Sequence, residues 1–461
     1  MPSQLASLLT FGFIWWLLRR EKCQRPGVTG ALWIPTLWML ILCSRSPSGW
    51  LALFGFQVGG ISLEDGSPVD AAVYFALILS GLIVLSRRRV HLAELWRHNR
   101  LLIFFLLYCF AAIWWSDYPF VAFKRWIKIL GHPIMTLVVL TEPDFEAAMI
   151  QLLKRGTYIL FPLSILFIKY YPGWGRAFEY FNGAASNVGV TTNKNDLGHD
   201  CLIFGFFFFW YLFQVWQWEN NRRKKSELCL CIVFLGMILW LMKNAHSSTS
   251  LVALAAGIAV VLIAGLDFID KRRLTFYAIG GIALILLGNY LFDLFDLMLQ
   301  VLGKDPTLTD RTKVWHAVLQ IPINPVLGAG FESFWLGERR EKLWDTFWWR
   351  PVQAHNGYLE TYLNLGLIGL ALMVLLILSA WRRGNRMLFE NFEFARFRMG
   401  FVVAFALYNI TEAAFKALHP VWFMFYLVAM EYPLAETRPI TTEKTGNVPM
   451  EEKDFLAGET V

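Results

Sequence analysis

The stretch AHNGYLETYLNLGLIGL, residues Ala354–Leu370, begins as a polar loop and ends as an unbroken apolar run. Its second half has the composition of a lipid-buried helix. Its first half places a histidine, an asparagine and a glutamate where the chain leaves water. The rest of the chain repeats the apolar texture. Of 461 residues, 56% are hydrophobic, 21 are Trp and 39 are Phe, and the mean hydropathy is +0.46. A soluble domain has no use for so much apolar surface, so composition specifies a polytopic integral membrane protein.

Apolar runs follow one another from Leu5–Leu18, through Phe120–Thr141, Leu197–Trp216 and Tyr358–Trp381, to Val421–Met430. Several fall short of the roughly 20 residues a straight span needs, so flanking residues must contribute. The expectation is an all-α protein of about 12–13 transmembrane helices, with about 12 if Leu5–Leu18 lies at the interface. Arg87–Arg89, Lys154 with Arg155, Arg222–Lys225, Lys271–Arg273 and Arg382, Arg383 and Arg386 occupy alternate loops. They therefore share one side, which the positive-inside rule makes cytoplasmic. The opposite side receives Arg45–Asp70, Pro172–Asp196, Lys243–Ser250 and the longest loop. The expected organisation is a helical membrane domain over residues 1–432, a large external loop inserted at 293–354, and a disordered cytoplasmic tail at 433–461.

The net charge of +7 follows these loop clusters, and no basic domain able to track nucleic acid stands out. The six cysteines lie in or beside apolar runs, without CxxC spacing. Neither a disulfide framework nor a metal site is expected. Arg19 and Arg20 follow Leu5–Leu18 where a cleavable signal would show small residues.

In the opening stretch, His355, Leu359, Tyr362, Gly366 and Gly369 follow i, i+4, i+7, i+11 and i+14, the spacing of one helical stripe. Glycines on that stripe let a neighbouring helix come close. His355 is then expected on top of the packed face, where a helix N-terminus disfavours the imidazolium. A neutral imidazole in that position suits a general base; it equally suits a histidine capping a helix.

Several blocks carry a family resemblance. His355-Asn356 followed by Gly366 and Gly369 resembles a signature of the O-antigen ligase and polymerase superfamily of bacterial envelope glycosyltransferases. LTDRTKVWHAVLQIPINPVLGAGFESFW (308–335) resembles its arginine-containing block, GVTTNKNDLG (189–198) its NKN turn, and NITEAAF (409–415) a C-terminal block. The NKN turn and SRSPSGWL (44–51) are most similar to exopolysaccharide polymerase-type members. The resemblance implies a GT-C-like fold in the bacterial inner membrane, with the 293–354 loop and the active site facing the periplasm. It also implies transfer of a glycan from undecaprenyl diphosphate to a hydroxyl acceptor, with inversion and with neither metal nor cofactor. The acceptor would be a glycan, lipid A core or a protein side chain, and the other partners membrane lipids, a flippase and a chain-length regulator.

By this resemblance His355 is the base and Arg311 grips the donor diphosphate through its bidentate fork. Asn356, Glu360, Gly366 and Gly369 are expected to support His355. Lys124, Arg125 and Lys128 begin a helix on the external side, against the charge rule, and join Lys194 as candidate diphosphate cations; snorkelling to headgroups is the alternative. Asn193 and Asn195 are expected to cap the helix after them. Glu412, near a membrane helix end, is expected to find a cation, orienting an arginine or the acceptor. The turn NAHSSTS (244–250) lacks the arginine many members carry there, leaving a second diphosphate cation unassigned. The rival class is a transporter or flippase of lipid-linked sugars, which the absence of an internal helix repeat opposes.

Overall fold

Loop residues with short polar side chains start several of the helices. Asp144, Asn193, Asn221 and Asn391 each accept a hydrogen bond from the backbone N–H three residues on, and proline occupies a first-turn position of others. The computed structural model describes residues 1–24, 27–56, 66–178, 183, 185–292 and 311–433. The start of the large loop, 293–310, and the tail beyond residue 433 lie outside them. In order, the helices are α1 (Ser3–Gln24), α2 (Trp33–Leu42), α3 (Pro47–Leu53), α4 (Pro68–Arg87), α5 (Leu92–Ala111), α6 (Pro119–Ile129), α7 (Gly131–Leu140), α8 (Phe145–Tyr170) and α9 (Pro172–Gly175). They continue with α10 (Lys194–Trp216), α11 (Arg222–Ala245), α12 (Ser248–Ala264), α13 (Leu274–Phe292), α14 (Arg311–Leu319), α15 (Gly337–Thr346), α16 (Gly357–Met387), α17 (Phe392–Thr411) and α18 (Pro420–Ala429). A two-stranded hairpin pairs Arg176–Phe178 with Ala185–Asn187.

The protein is an all-α, polytopic membrane protein, as its composition requires. Among the described residues, α4, α10, α11 and α16 are long and apolar enough to cross a membrane by themselves. Burial ranks them: α10 is the central helix, whereas α4 turns most of its surface outward. On α10, the Phe206 ring packs at a tilt against Phe397 and Phe401 of α17, at 5.3 and 6.0 Å between ring centroids. That aromatic seam fixes α17, whose last residue leads to the candidate site.

Three local expectations change. The run Phe120–Thr141 is two helices, α6 and α7, because Pro133 has no N–H to offer Ile129 and Gly131 favours the break. Lys154 and Arg155 lie inside α8 and not in a loop. Both are buried, with Lys154 on Glu227 at 2.6 Å and Arg155 on Glu21 at 2.7 Å. Glu227 also receives Arg20 at 2.8 Å. Charges withdrawn from water at this depth persist only when paired.

The third change is in α16. Gly366 has φ +62° and ψ −164°, so the helix breaks in the middle of its apolar run. The break frees backbone groups that lipid cannot satisfy. A loop after α14 takes them up. Leu367 and Ile368 donate to the carbonyls of Pro325 and Val326, at 2.9 and 3.3 Å. The carbonyls of Leu363 and Asn364 accept from Ala329 and Gly330, at 3.0 and 2.9 Å, and that of Leu365 from the Tyr108 hydroxyl at 2.9 Å. Gly366 thus faces a loop backbone, not the neighbouring helix that the stripe suggested. A Cβ at Gly369 would meet Leu365 of its own helix at 2.1 Å.

Candidate active site

His355 is not on α16. Asn356 is the N-cap, its side chain accepting from Leu359 N–H at 3.0 Å, and the helix begins at Gly357. His355 stands one residue before the cap with φ +50°, in the left-handed region that non-glycine residues rarely enter. A 3.6-residue period ends at the Asn356 cap, so His355 lies off the stripe that its spacing suggests. The loop leading to His355 is pinned from below. Buried Glu360 accepts from Ala354 N–H at 2.6 Å and from Trp335 Nε1 at 2.9 and 3.0 Å, and the Ala354 carbonyl accepts from Trp315 Nε1 at 2.6 Å.

Glu412 follows α17 directly, and its carbonyl accepts from Gly357 N–H at 3.0 Å, joining the two helix ends. Its carboxylate gathers three side chains from distant parts of the chain. His355 Nδ1 lies 3.1 Å from Oε2, Arg311 Nη2 2.7 Å from Oε1, and Asn195 Nδ2 3.1 Å from Oε1. Arg311 also donates through Nη1 to the Thr411 carbonyl. Burial pushes the Glu412 carboxyl up, but the hydrogen bond from His355, together with the charge and hydrogen bond of Arg311, outweighs it and holds the pKa below the ordinary 4.5. A depressed carboxyl pKa contributes stability above the ordinary value, and that contribution is lost as pH falls through the lowered one.

A carboxylate on Nδ1 fixes the imidazole tautomer: Nδ1 carries the proton and Nε2 keeps its lone pair. The same carboxylate stabilises an imidazolium once Nε2 has taken a proton. This is the arrangement of a general base with its orienting acid. Gln353 Nε2 approaches the ring at 3.3 Å from Nδ1 and 3.5 Å from Nε2; with Nδ1 protonated, only Nε2 can accept from it.

The remaining candidates divide. Lys194 opens α10 beside Asn193, which caps the helix; Asn195 instead reaches Glu412. Lys124, Arg125 and Lys128 share α6. Lys124 Nζ lies 4.9 Å from the Phe120 ring centroid, and Arg125 donates to the Glu332 carbonyl. Of these cations only Arg125 lines the cavity of about 250 Å³ beside the site, with Glu332, Trp335, Glu360 and Lys416. Asn409 serves the turn after α17, accepting from Ala414 N–H at 2.9 Å. His132 is fully buried and accepts from Trp38 Nε1 at 3.3 Å. Gln353 and Lys416 carried no sequence signal, whereas the NKN block did flag the neighbourhood of Asn195.

Residues 234–374 match the family model described as O-Antigen ligase. The match includes Arg311 and all of Ala354–Leu370, and stops short of Glu412. The chain is similar to the Exopolysaccharide production protein ExoQ of Rhizobium meliloti (strain 1021), 25% identical over 333 residues that make up 68% of this chain and 71% of that protein. It is also similar to a Rickettsia typhi protein whose name assigns it provisionally to the polysaccharide ligases, 26% identical over 211 residues, 43% of this chain and 51% of the relative. A Rickettsia felis protein of the same description is 26% identical over 199 residues, 38% and 46% of the two chains. This chain spans about half the length of these Rickettsia relatives.

Proposed function

We propose, from the premise that this chain belongs to the O-antigen ligase superfamily, that it transfers a glycan from undecaprenyl diphosphate to a hydroxyl acceptor. The observation that carries the reading is His355 with Nδ1 held by Glu412. The acceptor O–H gives its proton to His355 Nε2 as its oxygen bonds to the anomeric carbon. The bond from that carbon to the diphosphate breaks, and the electron pair leaves with the diphosphate. Attack opposite the leaving group inverts the anomeric centre. A diphosphate leaves without protonation, so the chemistry asks for a base and for cations, not for a general acid or a metal. The greater length shared with ExoQ favours a role in exopolysaccharide production; the Rickettsia similarities support polysaccharide ligation.

The assay is direct. Protein in lipid nanodiscs, given an undecaprenyl-diphosphate-linked repeat unit from its own host, should release undecaprenyl diphosphate in step with lengthened glycan. A carrier moved across the bilayer unchanged would instead establish a flippase. The site gathers at the ends of α10, α16 and α17, which suits an enzyme at one membrane face better than a midplane transporter site. We place that face in the periplasm of a bacterial inner membrane. A reporter active only outside the cytoplasm should be active when fused after Leu319 and silent after Arg273 or Arg386. Activity at Arg386 with silence at Leu319 would invert the assignment.

Arg311 tests the donor contact. Its fork spans two acceptors, the Thr411 carbonyl and Glu412, which the single ammonium of a lysine cannot bridge. Arg311→Lys should lose roughly 10-fold or more in kcat/KM, and Arg311→Ala more, since a charged hydrogen bond is worth about 1.5–3 kcal/mol. A rise in donor KM identifies contact with the diphosphate. A loss confined to kcat, with a displaced pH profile, identifies Arg311 as the residue that positions Glu412.

A further inference from the structure

We propose that Lys416 is an anion-binding cation of this site, holding the lipid-borne diphosphate that Arg311 does not hold alone; the proposal rests on the glycosyl-transfer reading. Charge is the first argument. Arg311 is matched at 2.7 Å by Glu412, and the same carboxylate serves His355, so this cluster offers a doubly charged diphosphate little net attraction. Lys416 differs. Its ammonium donates to the Gln353 amide oxygen at 2.5 Å, and no described carboxylate comes within 4.0 Å of it. A half-buried ammonium facing a neutral amide keeps its full charge for a ligand.

The two carboxylates that line its cavity accept from neutral N–H donors and not from Lys416, and Arg125 lines the same cavity as a second cation. Glu360 is taken by Trp335 Nε1 and Ala354 N–H, and Glu332 accepts from Ala417 N–H at 2.7 Å. Position is the second argument. The Gln353 amide that accepts from Lys416 is the one whose nitrogen touches the His355 ring at 3.3 Å, so the cation stands one amide from the base. The placement is also rigid. The Phe415 ring packs against Tyr358, Phe405 and Trp422 at 5.6, 5.1 and 5.5 Å, and the Lys416 N–H donates to the Ala414 carbonyl at 2.8 Å. An ammonium on an anchored backbone, lining a cavity and one amide from the base, is preorganised for a departing anion.

The test is binding of farnesyl diphosphate, a short-chain probe, to the full chain in nanodiscs, with farnesol and glucuronic acid as parallel ligands. Lys416→Gln keeps a donor for Gln353 and removes the charge; Lys416→Arg keeps the charge. The expected result is a Kd for farnesyl diphosphate weakened about 10- to 100-fold in Lys416→Gln and largely restored in Lys416→Arg, with farnesol unchanged. Both variants should show wild-type thermal unfolding, which separates a lost ligand contact from a lost fold. Equal affinity of Lys416→Gln and wild type for farnesyl diphosphate overturns the proposal and leaves the roles of His355 and Arg311 standing. A wild-type protein that prefers glucuronic acid, with that preference lost in Lys416→Gln, also overturns it, by giving the cation to an acidic sugar. No wild-type preference for farnesyl diphosphate over farnesol removes the proposal and the donor reading together.

Discussion

Turnover in His355→Ala should fall by about 10²–10⁴-fold, the range a general base contributes, with donor affinity close to wild type. The geometry explains why the loss should fall on kcat. The imidazole meets Glu412 through Nδ1 and presents Nε2, so removing it takes away the proton acceptor and leaves the cations in place. Arg311 keeps its hold on Glu412 and Thr411 without the ring. His355→Arg should fare no better than alanine, because a permanently protonated group cannot accept the acceptor's proton. Kinetics on purified variants decide the matter. Full activity in His355→Ala would leave His355 as a loop residue ahead of a cap. The left-handed backbone at His355 bears on the same point. A non-glycine residue there stores about 1–3 kcal/mol, which persists only when surrounding contacts impose it. Here Glu412 and the Asn356 cap impose it from either side. Relief of that strain should make His355→Gly no less stable than His355→Ala, although equally inactive.

Much of this was legible in the sequence because it is written locally. Apolar runs, polar caps and charged loop clusters each occupy a few neighbouring residues, and those features dictate an all-α membrane protein. The split between α6 and α7 escapes a reading by apolar runs, although its cause, Gly131 and Pro133, is local. Arg311 could be named only through the family resemblance of its block, whereas His355 and Glu412 are also polar residues at the edges of apolar runs. Their meeting could not be read. His355 and Glu412 are separated by 57 positions, Arg311 and Glu412 by 101, and Asn195 and Glu412 by 217. The position of Lys416 depends on the packing of Phe415, and the importance of Gln353 on the contacts of both its amide atoms. Periodicity misled in one place for a physical reason. A stripe counted through residues 355–369 ignores the two conformations no helix contains, the left-handed His355 and the break at Gly366.

That break carries the other large effect. Gly366→Ala should yield a protein that inserts in the membrane, unfolds at lower temperature and retains little activity; Gly366→Leu should be worse. Two costs add. The φ/ψ pair at Gly366 lies in a region open essentially to glycine alone, costing a side chain about 1–3 kcal/mol. A Cβ would also sit 2.2 Å from the Val326 carbonyl oxygen and 2.6 Å from Leu327 N, which are backbone atoms with no side-chain freedom to move aside. The segment 325–330 must then lift from α16, exposing the carbonyls of Leu363 and Asn364 that Ala329 and Gly330 satisfy. Glu332 and Trp335, just downstream, would move with it, loosening Ala417 N–H and the Glu360 carboxylate that fixes the loop before His355. Displacement of the base by about 1 Å is worth about 10²-fold in rate. Leu367→Ala, one residue on, removes an exposed side chain and leaves the backbone break intact, so it should be tolerated. Activity and thermal unfolding measured on the three variants separate the explanations. Wild-type behaviour of Gly366→Leu would mean that α16 can run straight past residue 366, and that the loop docked there does not hold His355 in place.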